Sequence, residues 1–341
     1  MSTRTETELD TSPAAAGVEV PIWEPEPSRF ATFLYRFLGI RRRIVMANMR
    51  QVFGDQLSAS DLKRLTTAFY LHFFKVICEN LAMFWRSDRR LADMVDVVGV
   101  EHLYAAGDKG NGILILTGHF GNWELTSIAA MLQYKEYRDR FFVIRKSLSA
   151  GLEHILFRRF HEAGLKVIPP YNTLSQVLRA LANNDVVIFI LDQHTMVDVP
   201  KGIAVDFFGR TAGTNRSLAL LTAHSGAPVI PAMAYRKKDG RHVLRFEEPL
   251  EWIYADDPEE EIRLNTQHYN DVLERFVLEH PEQWFWAHRR WKYSRDTRTE
   301  TPILLGRGRS SGLPYGTEED YDAEGKQQQP SDQRPRGHQG G

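Results

Sequence analysis

A histidine and a carboxylate five positions apart, His119 and Glu124, stand in the stretch Thr117-Gly118-His119-Phe120-Gly121-Asn122-Trp123-Glu124, directly after the apolar run 113–116. An imidazole held by a carboxylate is the minimum equipment of a general base acting on a hydroxyl. Within one continuous helix, residues i and i+5 lie about 140° apart and could not meet. The order here is apolar run, glycine-flanked turn, then a helical pattern over 124–132, which removes that obstacle. His119 falls in the turn, and Glu124, in the first helical turn, is expected to reach back to it. Asn122 reads as the N-cap, and Gly118 and Gly121 permit unusual backbone angles. Free N–H groups at residues 120–123 and the positive end of the helix could hold an oxyanion or a phosphate. The plainer alternative is a surface histidine in a turn beside an ordinary helix-start acid.

Other candidates lie further along. Arg145 and Lys146 end an apolar run, and Arg158 and Arg159 follow later. An arginine at a sheet edge can clamp phosphate or carboxylate, while one on a helix face more often forms a surface ion pair. Asp192 directly follows the apolar run 186–191, where an acid is costly unless paired or solvated. It could orient an arginine or a substrate hydroxyl. The loop 207–216 carries Gly209, Arg210, Gly213 and Arg216 before a helical pattern, and reads either as an anion-binding loop or as a plain turn with Thr214 or Asn215 as cap. Residues 281–292 mix tryptophan with basic side chains and suit a membrane-interface belt, a nucleic-acid stacking face or an aromatic cap on the core. No H-E-x-x-H or C-x-x-C occurs, so no metal site is expected, and no G-x-S-x-G elbow occurs.

These residues need a scaffold. Strand patterns cover 112–117, 141–145, 166–168, 186–191, 228–235 and 242–246, with helical patterns at 124–132, 151–163, 174–182, 215–224 and 259–279. Such alternation predicts an α/β domain with a mixed, largely parallel sheet, and His119, Arg145 and Asp192 would share the edge at its strands' C-terminal ends. Ahead of it, residues 29–54 carry six arginines and no acid, with Phe30, Phe33, Leu34, Phe37 and Leu38 at helical spacing. That stripe either lies in an anionic bilayer interface or packs on the domain. A second helix, over about 61–85, reads as core scaffold, with Cys78 inside it as a core residue. One cysteine in 341 residues allows no internal disulfide, which fits a reducing compartment. A net charge of −1 argues against a general polyanion binder, and no nucleic-acid partner is expected. Neither a secretory signal nor a run of about 18 apolar residues is present.

The block from His119 to Glu124 resembles the H-x4-(D/E) motif of glycerolipid-type acyltransferases, in the form found in the bacterial lipid A biosynthesis (lauroyl/myristoyl) acyltransferase family. The resemblance runs over about residues 30–293 and includes Arg145, Leu191-Asp192-Gln193, Phe207-Phe208-Gly209-Arg210, Gly226-Ala227-Pro228-Val229-Ile230-Pro231, Pro281-Glu282-Gln283-Trp284 and His288-Arg289-Arg290-Trp291-Lys292. It implies one acyltransferase domain over 29–303, with N-terminal helices at 29–86, between tails at 1–28 and 304–341. It further implies transfer of a fatty acyl group from acyl carrier protein or coenzyme A, as co-substrate and without further cofactor, to a lipid hydroxyl. The acceptor implied is a lipid A precursor or related glycolipid, with phosphatidylinositol mannosides or lysophospholipids as alternatives and thioester hydrolysis as the rival chemistry. His119 and Glu124 would be catalytic. Asn122, Arg145, Arg159, Asp192 and Arg210 would bind substrate. The family commonly begins with a spanning helix; the polar start here implies peripheral attachment to an anionic membrane surface, the cytoplasmic face of the bacterial inner membrane.

Overall fold

Helices α1 (Arg42–Phe53) and α2 (Ala59–Met83) open the described part of the chain, which in this computed structural model comprises residues 30, 32, 33, 36, 39–144, 158–169 and 171–292. Ser58 starts α2 by accepting the Asp61 N–H, at 3.1 Å. Leu62, Leu65, Phe69 and Val76 then bury one face. A short helix α3 (Asp88–Ala92), strand β1 (Val95–Val98) and helix α4 (Val100–Gly107) lead into β2 (Ile113–Thr117) and α5 (Trp123–Gln133). Strands β3 (Phe141–Ile144) and β4 (Leu165–Ile168), helix α6 (Thr173–Ala182) and strand β5 (Val186–Ile190) follow. Then come β6 (Gly202–Asp206), β7 (Thr211–Asn215), α7 (Ser217–Ser225), β8 (Val229–Arg236), β9 (His242–Phe246) and α8 (Pro258–Glu279).

Seven strands form one sheet in the order β1-β9-β8-β2-β5-β3-β4. Every pairing is parallel except β8 with β9. The mixed, largely parallel sheet expected from the alternation is therefore present. β2 lies between β8 and β5, and its residues alternate between two cores. Leu114 and Leu116 pack with Phe53, Phe69, Val177 and Leu273 from α1, α2, α6 and α8. Ile113 and Ile115 pack with Leu103, Leu125 and Ile128 from α4 and α5. Helices cover both faces, which is why the central strands read as unbroken apolar runs.

Three strands go unmarked by the apolar pattern. β1 is a four-residue edge with only Val95 buried. β6 and β7 form an antiparallel ribbon turned by Phe208 and Gly209, both at positive φ. The glycine-containing loop is thus largely a hairpin; the N-cap of α7 is Arg216 and not Thr214 or Asn215, although Asn215, the last residue of β7, accepts the Ser217 N–H at 2.9 Å. Gln267, Asn270 and Glu274 of α8 bind the ribbon's backbone at Asp206 and Phe208. Cys78, expected inside, is exposed. Of the basic stripe, Phe30, Thr32, Phe33 and Arg36 are helical and exposed, whereas Leu34, Phe37 and Leu38, like both tails, lie outside the described residues. Within the expected helix over 151–163, residues 158–163 are described and helical. Among the described residues no helix is long and apolar enough to cross a membrane.

Glu274 ties ribbon to helix through the Phe208 N–H at 2.6 Å. Burial pushes its carboxyl up to about 7, against the opposing pull of that N–H. A carboxyl whose folded pKa lies above its unfolded value binds protons more tightly when folded, so its contribution is full below about pH 4.5 and is lost as pH rises through 7. Glu274→Gln should therefore flatten unfolding stability between pH 5 and 8. It should raise stability at pH 8 by at most about 3 kcal/mol, the equivalent of the whole shift. Urea titrations at the two pH values check this.

Candidate active site

β2 and β5 are adjacent and parallel, with Thr117 opposite Ile190. Two residues beyond that pair on each strand come His119 and Asp192, so the shared register alone delivers them side by side. The His119 Nδ1 lies 2.9 Å from Asp192 Oδ1, and the His119 backbone N–H donates to Oδ2 at 2.8 Å. Trp284 Nε1 donates to the same Oδ2 at 2.9 Å. Asp192 is fully buried, yet three N–H groups serve its two oxygens. Burial alone would raise its pKa; the charge and hydrogen bonds of His119 outweigh burial and hold the carboxyl well below its ordinary value.

Backbone pairing fixes the turn. Phe120 bridges Trp284 in antiparallel fashion, the Gly121 N–H donates to Gln283 O at 3.0 Å, and the Phe285 N–H donates to His119 O at 3.0 Å. A side chain at Gly118 would meet the Phe120 ring at 2.7 Å and Asp192 Cγ at 3.0 Å, so only glycine lets the two loops close together. Gly121 is needed too: its φ is +56°, and a Cβ there would meet Ala234 O at 2.6 Å. The Phe120 N–H bonds Gly118 O, so the amides of residues 120 and 121 are already engaged. An oxyanion pocket built on both of them, as the turn suggests, is not what the backbone offers.

With Nδ1 on Asp192, the Nε2 of His119 is the nitrogen left for chemistry. It lies 3.5 Å from the amide nitrogen of Gln193, an exposed side chain. The rings of Trp123, His288 and Phe285 surround the imidazole, with centroids at 4.9, 4.9 and 6.2 Å. Burial, and then the neighbouring His119, push His288 down to about 4, so it stays neutral near pH 7.

The expected partner of His119, Glu124, takes another place. Its carboxylate accepts a hydrogen bond from Asn80 of α2, and the imidazole's Nδ1 goes to Asp192 instead. Asn122 is the N-cap, accepting the Leu125 N–H at 3.1 Å, but it is fully buried and its amide donates to Glu79 at 3.0 Å. The amide does not face outward to a substrate. Arg145 lies outside the described residues. Arg159 is bound to Asp88 at 2.9 Å, Glu162 at 3.2 Å and the Arg86 carbonyl at 3.3 Å, and none of these contacts involves the His119 turn. Arg210 sits at the ribbon's end and donates to Gln51 of α1 at 3.3 Å.

Several residues without a sequence signal complete the site. Glu79, one position before Asn80, also accepts from Arg236, with one bond at 2.7 Å, and lies 3.3 Å from His242. α2, read as scaffold alone, thus grips both Asn122 and Glu124. Burial would raise the Glu79 pKa, but His242 and Arg236 hold it well below the carboxylate range. The segment 281–292 is chiefly an aromatic cap on the core, with Trp284, Trp286 and Trp291 buried. Asn48 of α1 fastens it through the Trp286 and His288 carbonyls, at 2.8 and 2.7 Å.

Comparison with known proteins identifies the family. The model of the bacterial lipid A biosynthesis acyltransferase family matches residues 22–293. The chain belongs to that family. It is an acyltransferase of the lipid A and glycolipid type, as the resemblance around His119 implies. The lipid A biosynthesis lauroyltransferase of Escherichia coli is 26% identical over 262 residues, covering 75% of this chain and 81% of its own. A phosphatidylinositol mannoside acyltransferase of Mycolicibacterium smegmatis is 24% identical over 242 residues, covering 68% and 72%. Among solved structures, the 1-acyl-sn-glycerophosphate acyltransferase of Thermotoga maritima covers 74% of this chain and 96% of its own, at 16% identity and a TM-score of 0.33.

Removing Glu79 would leave the Arg236 guanidinium, whose side chain is 10% exposed, without its carboxylate. Glu79→Ala should cost about 3–5 kcal/mol in denaturant unfolding, the usual result of breaking a buried pair from one side.

Proposed function

We propose that this acyltransferase moves a fatty acyl group from a thioester, carried on acyl carrier protein or coenzyme A, directly to a glycolipid hydroxyl at a membrane surface. The observation that carries the reading is the 2.9 Å contact between His119 Nδ1 and buried Asp192. A proton held on Nδ1 leaves Nε2 as the basic nitrogen. Nε2 removes the acceptor's hydroxyl proton as the oxygen attacks the thioester carbonyl carbon. Collapse of the tetrahedral intermediate breaks the C–S bond, and the departing sulfur takes the proton back from Nε2. Asp192 orients the ring and stabilises the imidazolium between the two transfers. Glu124, the motif's carboxylate, is bound by Asn80 and holds the turn against α2.

The acceptor class comes from the relatives' names. One is named for lipid A biosynthesis and another for phosphatidylinositol mannoside, and from these names we take a glycolipid as the acceptor class. A lipid A precursor on the cytoplasmic face of the inner membrane is the reading we favour. Arg145 and Arg210 are proposed to meet acceptor phosphates or the donor's phosphopantetheine.

His119→Ala should lower acyl transfer about 10²–10⁴-fold, the usual worth of general-base help, in a protein that still folds but melts at a lower temperature, because buried Asp192 loses its Nδ1 donor. Asp192→Asn, which puts an N–H where an acceptor is required, should fall in the same range. Transfer of a labelled acyl chain to lipid acceptors measures both. A folded His119→Ala protein with full activity would remove the reading, and free fatty acid as sole product in the presence of acceptor would point to a hydrolase.

A further inference from the structure

The C-terminal half of α2 has two faces. Inward, Glu79 and Asn80 hold the His119 turn through Asn122 and Glu124. Outward, Phe74, Ile77, Cys78, Leu81 and Trp85 recur at helical spacing. Ile77 is 39% exposed, Leu81 55% and Trp85 81%, and Cys78 is exposed as well. Phe84 keeps helical backbone angles, so Trp85 continues the stripe past the helix end. From Phe74 to Trp85 the face runs for about 17 Å at the helical rise. It extends further at the other end, where the Phe30 ring packs edge-on against Phe74 at 5.5 Å and Tyr70 Oη donates to the carbonyl of exposed Ile40 at 2.9 Å.

Charge brackets this apolar face. Exposed Arg41, Arg42 and Arg43 follow Ile40 directly, and Arg86, Arg89 and Arg90 follow Trp85. Asp88 and Asp93 stand among the latter, but Asp88 is bound by Arg159 and Asp93 lies 4.0 Å from Arg89. Between Asp61 and Asp88 the sole acid is Glu79, and it turns inward to Arg236. An acid-free apolar stripe with arginines at both ends has the composition of an element lying in an anionic lipid interface, rings and aliphatic groups among the acyl chains and guanidinium groups at the headgroups. The stripe is also near the chemistry. Phe73, one turn from Ile77, contacts Phe285 at 5.5 Å, and Phe285 in turn lies 6.2 Å from His119.

We infer that this outward face of α2 is the surface on which the enzyme docks to an anionic bilayer, setting His119 at the depth of the acceptor's headgroup. The inference rests on the proposed transfer to a membrane glycolipid and names the surface that brings enzyme and acceptor together.

Cys78 is the chain's sole cysteine and lies within the stripe, so an environment-sensitive maleimide dye reports on it without any substitution. On phosphatidylglycerol–phosphatidylethanolamine vesicles its emission should shift to the blue and rise several-fold, with quenching by nitroxide-bearing acyl chains. On phosphatidylcholine vesicles the response should be at least several-fold weaker. The unlabelled Leu81→Asp/Trp85→Asp double variant should lose at least tenfold in vesicle co-sedimentation. Its transfer to vesicle-borne acceptor should drop in parallel, while transfer to the same acceptor in detergent stays at the wild-type rate. A dye that remains water-like on sedimented vesicles, or is already shielded before vesicles are added, overturns the docking surface. So does a double variant that binds vesicles like wild type, or a wild-type dimer that the double variant converts to monomer. Absence of transfer by the wild type in both presentations would sink the functional reading instead, leaving the binding result intact.

Discussion

A carboxylate with no access to water organises this site. Asp192 sits at the end of β5 with no exposed surface, and an ionised carboxylate there is tolerable only if donors replace the lost hydration. The protein supplies three, two from His119 and one from Trp284. Each comes with a structural demand. The His119 amide can donate only if its turn bends over the strand end, and Gly118 must lack a side chain for that approach. The indole can donate only if residues 283–285 run antiparallel beside the turn, as their backbone pairing to His119 and Gly121 ensures. Turn, strap and glycine are thus consequences of one buried charge.

Sheet topology makes the rest economical. Because β2 and β5 are hydrogen-bonded neighbours in parallel register, residues two steps past Thr117 and Ile190 arrive together with no further device. The apolar alternation of β2 between two cores holds that register, since a slip by one residue would exchange the two buried faces. α2 adds a second fixed point: Glu79, paired with Arg236 and 3.3 Å from His242, clamps the cap residue that starts α5. The His119 imidazole lies between these two fixed points, with its Nε2 beside the exposed amide of Gln193.

What could be read from the residues in order follows from this. The strands that build the middle of the sheet are unbroken apolar runs, and the turn with its glycines and Asn122 cap is local chemistry, so both were legible. The partner of His119 was not. Glu124 is close in sequence and Asp192 is 73 residues away, and only strand order, which no local pattern encodes, decides between them. Asp192 stood out as an acid at a strand end, but its role needed the neighbour. Glu79 and Asn80 were hidden inside an apolar periodicity that marked α2 as scaffold, and the same periodicity misplaced Cys78. The β6–β7 ribbon escaped because Thr211–Asn215 has small and polar residues where an alternating strand would show apolar ones.

The two carboxylates near His119 therefore divide their work by burial. Glu124, in the first turn of α5, complements the positive end of the helix and binds α2. Asp192 must stay charged in an apolar surround while keeping both oxygens for His119 and Trp284, so a direct ion pair with arginine would defeat it. Arg290 meets that constraint at one remove. It is fully buried, donates to the Gln193 and Gly213 carbonyls at 3.1 and 2.7 Å, and lies over the Phe207 ring at 4.8 Å. Burial lowers its pKa to about 10 and the attraction of Asp192 opposes that drop, so it remains a cation at neutral pH. A full positive charge thus acts on Asp192 through the adjacent peptide, offsetting the cost of the buried anion without occupying a lone pair that His119 needs.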